Sequence, residues 1–99
     1  MTINKIANGS ELTIALEGRL DTTTSPQLET ELETALEGIN SLIFDFSKLD
    51  YISSAGLRIL LSAQKMMNKK DGSMKVTHVS EEIMEIFEVT AFVDILSIE

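Results

Sequence analysis

The sequence contains no cysteine and only one histidine. Without cysteine the chain cannot form a disulfide, a thiolate nucleophile or a cysteine-based zinc site. The single histidine, His78, excludes a two-histidine metal site and leaves an acid–base triad only one candidate imidazole. We therefore expect no metal site, no cofactor and no catalytic residue, and a binding protein rather than an enzyme.

Basic residues and long apolar segments are also scarce. Eight Lys and Arg stand against sixteen Asp and Glu, a net charge of −8, so a nucleic acid backbone or an anionic membrane surface would be repelled. The N-terminal residues lack the apolar core of a signal peptide, and no apolar run approaches the roughly 20 residues of a membrane span. The sequence predicts a cytoplasmic protein with no nucleic acid partner and no membrane insertion.

What remains is a chain of 99 residues in which 43% are hydrophobic, enough for one small folded domain over residues 1–99. The chain opens with a predicted hairpin that turns at Asn8-Gly9 in a type I′ turn, and its second strand alternates from Leu12 to Leu20. A helix follows, with Ser25 as its N-cap and Pro26 as its first residue.

Strands and helices alternate through the rest of the chain. Residues 42–46 are apolar nearly throughout, which predicts a central strand covered on both faces. We then expect a helix over residues 54–70, a strand that includes His78, and a helix that starts at Ser80, while residues 92–98 fit either a helix or a strand. The fold class is therefore α/β: a single mixed sheet, with an N-terminal antiparallel hairpin and then parallel β-α-β crossovers, flanked by helices.

Two predicted loops, residues 18–25 and 47–56, leave the carboxyl ends of parallel strands and should share one rim, where α/β proteins place their sites. In the second loop, Gly56 lies in the first turn of a strong helix, where glycine costs up to about 1 kcal/mol, so something approaches the backbone closely. Ser53 and Ser54 are first of all capping residues, and a phosphate there would lie next to the positive end of the helix dipole.

Asp21 and Asp50 could contact a basic group, although each alone is typical of a turn or cap. A serine hydrolase is disfavoured because no Gly-x-Ser-x-Gly elbow surrounds Ser54.

Residues 45–57, DFSKLDYISSAGL, resemble the signature of the STAS domain, which is found in bacterial anti-sigma factor antagonists. Residues 18–21 resemble the family's Gly-x-Leu-Asp, and residues 86–92 resemble its Phe-x-x-Ser/Thr-Gly-Leu segment. The chain departs from the pattern at Ser53, where the family commonly has aspartate, and at Ala55, where it has a second hydroxyl residue.

The resemblance implies a STAS-like fold and a partner-switching role. The unmodified protein would bind an anti-sigma factor with serine kinase activity and release a sigma factor. Phosphorylation of Ser54, with Ser53 as the second candidate, would disable it, and a phosphatase is a further possible partner. The residues assigned to partner binding are Asp21, Thr22, Ser53, Ser54, Gly56, Leu57 and Arg58. The departures at Ser53 and Ala55 keep an alternative open: a constitutive STAS interaction module, such as an accessory subunit of a transporter or signalling complex, without phosphoregulation.

Overall fold

The alternation of strands and helices along the chain builds one five-stranded sheet with three helices. A computed structural model describes residues 1–99. The elements are β1 Thr2–Asn8, β2 Glu11–Leu20, α1 Ser25–Ala35, β3 Ser41–Ile52, α2 Ser54–Lys69, β4 Ser73–Thr77, α3 Glu81–Val89, a 3₁₀ turn Phe92–Asp94 and β5 Ser97–Ile98. The strand order is β1-β2-β3-β4-β5, with β1 antiparallel to β2 and all other pairs parallel. The predicted fold class is confirmed.

Only one face of the sheet is covered by helices. Across the strands, Ile14 pairs with Phe44 and Phe44 with Val76, and all three are fully buried in one core of 23 residues. The neighbouring row, which includes Ile43, points to the opposite face and stays partly exposed. Right-handed crossovers between strands that advance in one direction place the connecting helices on the same side. The prediction that β3 is covered on both faces is therefore wrong.

The local geometry of two turns also differs from the predictions. Asn8 pairs with Glu11 as the last residue of β1, and Gly9 is the only residue of the hairpin turn with positive φ (+64°), so the turn is not type I′. Helix α1 starts one residue earlier than predicted: its N-cap is Thr24, and Ser25 is its first residue. The Thr24 side chain makes no cap hydrogen bond, because it is engaged in the preceding turn.

The predicted loop over residues 47–56 is largely strand. Strand β3 continues to Ile52, still paired with β2 at Leu20. Two register shifts in the β2–β3 pairing, between Ala15 and Glu17 and between Gly18 and Arg19, keep the strands hydrogen-bonded over this length. Bulges of this kind are a property of paired strands, which explains why periodicity along one strand did not predict them. As a result, Ser53 alone connects β3 to α2.

The C-terminal third follows the predicted order with two changes. His78 lies beyond β4 with φ +57° and is exposed rather than part of the strand. Residues 92–98 contain both alternatives, the 3₁₀ turn and then β5. No helix combines the length and the apolar character needed to span a bilayer.

Candidate functional site

The carboxyl ends of β2 and β3 bring the two predicted regions together. Leu20 pairs with Ile52 at the end of the parallel ladder, and the backbone N–H of Ser53 donates to the Leu20 carbonyl oxygen at 2.9 Å. This bond places the β2–α1 turn directly beside the first turn of α2. The prediction that both segments share one rim is confirmed.

Gly56 allows this close approach of α2 to the sheet. A Cβ at this position would lie 2.8 Å from Ile52 Cγ1, 2.8 Å from Leu20 Cγ and 2.9 Å from the Leu20 carbonyl oxygen. These distances are far below ordinary carbon contacts, which are roughly 3.5–4.0 Å. The glycine is therefore required by packing inside the fold.

Ser53 and Ser54 have different environments, although they are adjacent. Ser53 is the N-cap of α2, and its Oγ accepts a long hydrogen bond of 3.5 Å from the N–H of Gly56. Ser54 is the first residue of the helix, is exposed, and its hydroxyl has no hydrogen-bond partner within the protein. Of the two hydroxyls, the Ser54 hydroxyl is the more exposed and the one without a partner in the protein.

The β2–α1 turn is held together by Asp21. Its carboxylate accepts hydrogen bonds from the N–H groups of Thr23 (3.0 Å) and Thr24 (3.1 Å). The Thr24 hydroxyl accepts from the N–H of Asp21 (2.9 Å) and donates to the carbonyl oxygen of Arg19 (2.7 Å). The Thr24 N–H, above all, holds the pKa of Asp21 below its ordinary value. Asp21 thus has a structural role in the turn while remaining partly accessible.

Asp45 has a similar role within β3. Its carboxylate accepts the N–H of Ser47 at 2.9 Å and lies 3.3 Å from Nδ1 of His78. The pKa of Asp45 is lowered, mainly by the Ser47 N–H, with smaller contributions from His78. The Asp-x-Ser part of the signature therefore stabilises the strand at the point where its regular alternation ends.

The sequence did not predict a cation–π contact at the same edge. The Arg19 guanidinium lies 4.2 Å above the centre of the Tyr51 ring, and its Nε lies 3.6 Å from Asp21 Oδ2. Arg19 and Tyr51 are partners in the β2–β3 ladder after the second register shift. Because that shift is a tertiary feature, no spacing along the chain indicates the pair.

A groove of about 250 Å³ runs between the N-terminal ends of α1 and α2. Thr22 of the β2–α1 turn and Arg58 of α2 both line it, together with Glu29 of α1. Ser25 also lines it, and the Ser25 hydroxyl is buried with no hydrogen-bond partner.

The structure divides the seven predicted partner-binding residues into two groups. Gly56 and Leu57 are buried, Leu57 at 6% exposure, so they position α2 and contribute no side chain to the exterior. Their assignment to partner binding stays a prediction, in which they act through the position of α2. The accessible members, which we call the rim surface, are Asp21, Thr22, Ser53, Ser54 and Arg58.

Residues 2–99 match the profile of the STAS domain. The chain belongs to the STAS domain family. Among relatives of this STAS domain, BtrV of Bordetella bronchiseptica is 31% identical over 99 residues, which is 99% of this chain and 84% of BtrV. The anti-sigma-B factor antagonist of Bacillus subtilis is 28% identical over 91 residues, 92% of this chain and 84% of that protein.

Solved structures share the fold of this STAS domain. The anti-sigma factor antagonist SpoIIAA in its unphosphorylated form superposes with a TM-score of 0.79 at 18% identity, over 99% of this chain and 87% of that one. The phosphorylated form of SpoIIAA, from Bacillus, gives a TM-score of 0.78 at 17% identity, over 99% and 91%. At these identities the likeness concerns the fold. The Bacillus subtilis relative and SpoIIAA are both named as anti-sigma factor antagonists.

Proposed function

We propose that this STAS domain is an anti-sigma factor antagonist that binds an anti-sigma factor through the rim surface and loses that binding when Ser54 is phosphorylated. The observation that carries the proposal is the exposed, unbonded hydroxyl of Ser54 at the first residue of α2, next to a Ser53 already engaged as the N-cap. The name of the Bacillus subtilis relative and the two forms of SpoIIAA support the same role.

The switch acts by adding charge where the fold tolerates it and a docked partner does not. A phosphoserine carries about −1.5 to −2 charges, and at a helix N-terminus it is favoured by the unpaired N–H groups and the dipole. Under a docked partner that supplies no counterion of its own, the phosphate loses its hydration, which costs about 2–5 kcal/mol. The anti-sigma factor would itself be the serine kinase: the Ser54 oxygen bonds to the γ-phosphorus of ATP, the bond from that phosphorus to the bridging oxygen breaks, ADP leaves, and the hydroxyl proton is released.

The test begins with the partner captured by the tagged protein from its native cells. Incubation of the protein with that partner and ATP should give a phosphate on Ser54, located by mass spectrometry. Binding by Ser54→Asp should be weakened about 30-fold or more, which corresponds to roughly 2 kcal/mol. Ser62→Asp is the matched control, because Ser62 is an exposed serine two turns further along the same helix and outside the rim surface.

The outcomes separate this proposal from a constitutive module. If Ser54→Asp is folded, binds the captured partner as tightly as the unmodified chain, and no phosphate appears on Ser54 or Ser53, the protein is a constitutive interaction module. Equal weakening by Ser54→Asp and Ser62→Asp would mean that total charge, and not the position of Ser54, controls binding.

A further inference from the structure

Arg58 lies one helical turn beyond Ser54 on α2 and forms no ion pair within the protein. The four ion pairs in the structure involve Lys5, Arg19, Lys75 and His78 instead. We propose that Arg58 is the internal counterion of phosphorylated Ser54, so that phosphorylation also withdraws this arginine from the rim surface. This inference rests on the proposed function, since it concerns how the same site is regulated.

Helix geometry places the two side chains within reach. Residues four apart on a helix have Cβ atoms about 5–6 Å apart, and both Ser54 and Arg58 are exposed. Side chains on a helix lean towards its N-terminus, so the Arg58 side chain is long enough to reach back to a phosphate on Ser54. A guanidinium can donate two parallel hydrogen bonds to a phosphate, a geometry that a lysine ammonium does not reproduce.

One acidic group competes for this arginine. Glu29 of α1 lines the same groove as Arg58, but its carboxylate does not come within ion-pair distance of the guanidinium. A phosphate carrying nearly two charges on the same helix is the stronger acceptor. Arg58 is therefore available in the unmodified protein and engaged in the phosphorylated one.

Phosphorylation then changes the rim surface twice. The surface gains up to two negative charges at Ser54, and it loses its only basic residue, Arg58, to the new phosphate. An acidic group of the partner that pairs with Arg58 in the unmodified complex would lose its counterion at the same time as it meets the phosphate.

The test uses the full chain with phosphoserine placed at position 54 during translation, so that neither the kinase nor the partner is needed. Phosphorus NMR follows the second ionisation of the phosphate between about pH 4 and pH 9, the range that brackets its usual pKa. In the otherwise unaltered chain we expect this pKa to lie about 0.2–0.4 units lower than in Arg58→Gln, the shift that one exposed helical ion pair produces. Arg58→Lys should recover part of it.

Lys65→Gln is the control, because it removes one exposed positive charge from the same helix about 16 Å beyond Ser54. It should leave the phosphate pKa close to that of the unaltered chain. If Arg58→Gln and Lys65→Gln give the same pKa, Arg58 is not the counterion and the inference is overturned. That result would leave Ser54-dependent partner release intact, whereas absence of kinase phosphorylation would overturn the proposed function and leave the measured ion pair unaffected.

Discussion

Replacing Gly56 with alanine sets helix propensity directly against packing. In an unobstructed helix the change would stabilise the protein by up to about 1 kcal/mol. Here the new Cβ meets Ile52 Cγ1 and Leu20 Cγ at 2.8 Å and the Leu20 carbonyl oxygen at 2.9 Å. The two side-chain atoms are fully buried and the third contact is with backbone, so none of them can rotate away cheaply.

The expected net effect follows from these two terms. Overpacking a core costs about 1–3 kcal/mol, and displacement of the backbone places this site in the upper part of that range. After the gain in propensity, we expect Gly56→Ala to lower the free energy of unfolding by about 1–2 kcal/mol. For a chain of this length that corresponds to a fall in Tm of about 4–8 °C per kcal/mol.

Thermal and urea unfolding followed by circular dichroism measure this difference. Ser62→Ala serves as the control, since Ser62 is exposed on the same helix and its replacement by alanine should leave stability unchanged or raise it by a few tenths of a kcal/mol. A Gly56→Ala protein as stable as the unaltered chain would refute the reasoning, because the first turn of α2 could then move away from Leu20 without cost.

Two further predictions concern the same edge of the sheet and its acid dependence. Ser53→Ala should lower the free energy of unfolding by about 0.5–1 kcal/mol in urea titrations, the lower part of the range for helix N-caps, because its hydrogen bond is long at 3.5 Å; an unchanged urea midpoint would contradict the cap. Asp21 and Asp45 both have a folded pKa below the ordinary 3.8, so their contribution to stability is present above about pH 4 and is lost as the pH falls through the lower folded values. In Asp45→Asn, the urea midpoint should therefore decrease less between about pH 5 and pH 2 than in the unaltered chain. An equal decrease in both proteins would show that the Ser47 N–H does not stabilise this carboxylate.

Several features of the site could be predicted from local pattern because their causes are local. The start of α2 after Ser53 follows from a serine before a run of helix formers with an apolar stripe. The presence of glycine at position 56, in the first turn of a helix, indicated a close approach to the backbone, and in the structure Leu20 makes that approach. One prediction at the site failed because its cause lies in a neighbouring strand. Residues 47–52 of the loop predicted over residues 47–56 are strand, because β2 stays paired with them through two register shifts.

The residues at and beside the rim surface also separate into those whose exposure has a local cause and those whose burial has a tertiary cause. Exposure of Ser54 and Arg58 agrees with their places on an amphipathic helix, whereas the burial of Leu57 and Gly56 depends on how tightly α2 packs against the ends of β2 and β3. The contact between Arg19 and Tyr51 depends on the parallel register and is invisible along the chain.

The sequence by itself determined the order of the elements, the mixed sheet, the absence of cysteine chemistry and the serine pair at the start of a helix, because periodicity, capping and composition act over a few residues. Only the tertiary structure decided how the ends of β2 and β3 hold the start of α2. One hydrogen bond from Ser53 to Leu20 and one close approach at Gly56 join segments more than 30 residues apart, and together they leave Ser54 exposed beside Ser53, the N-cap.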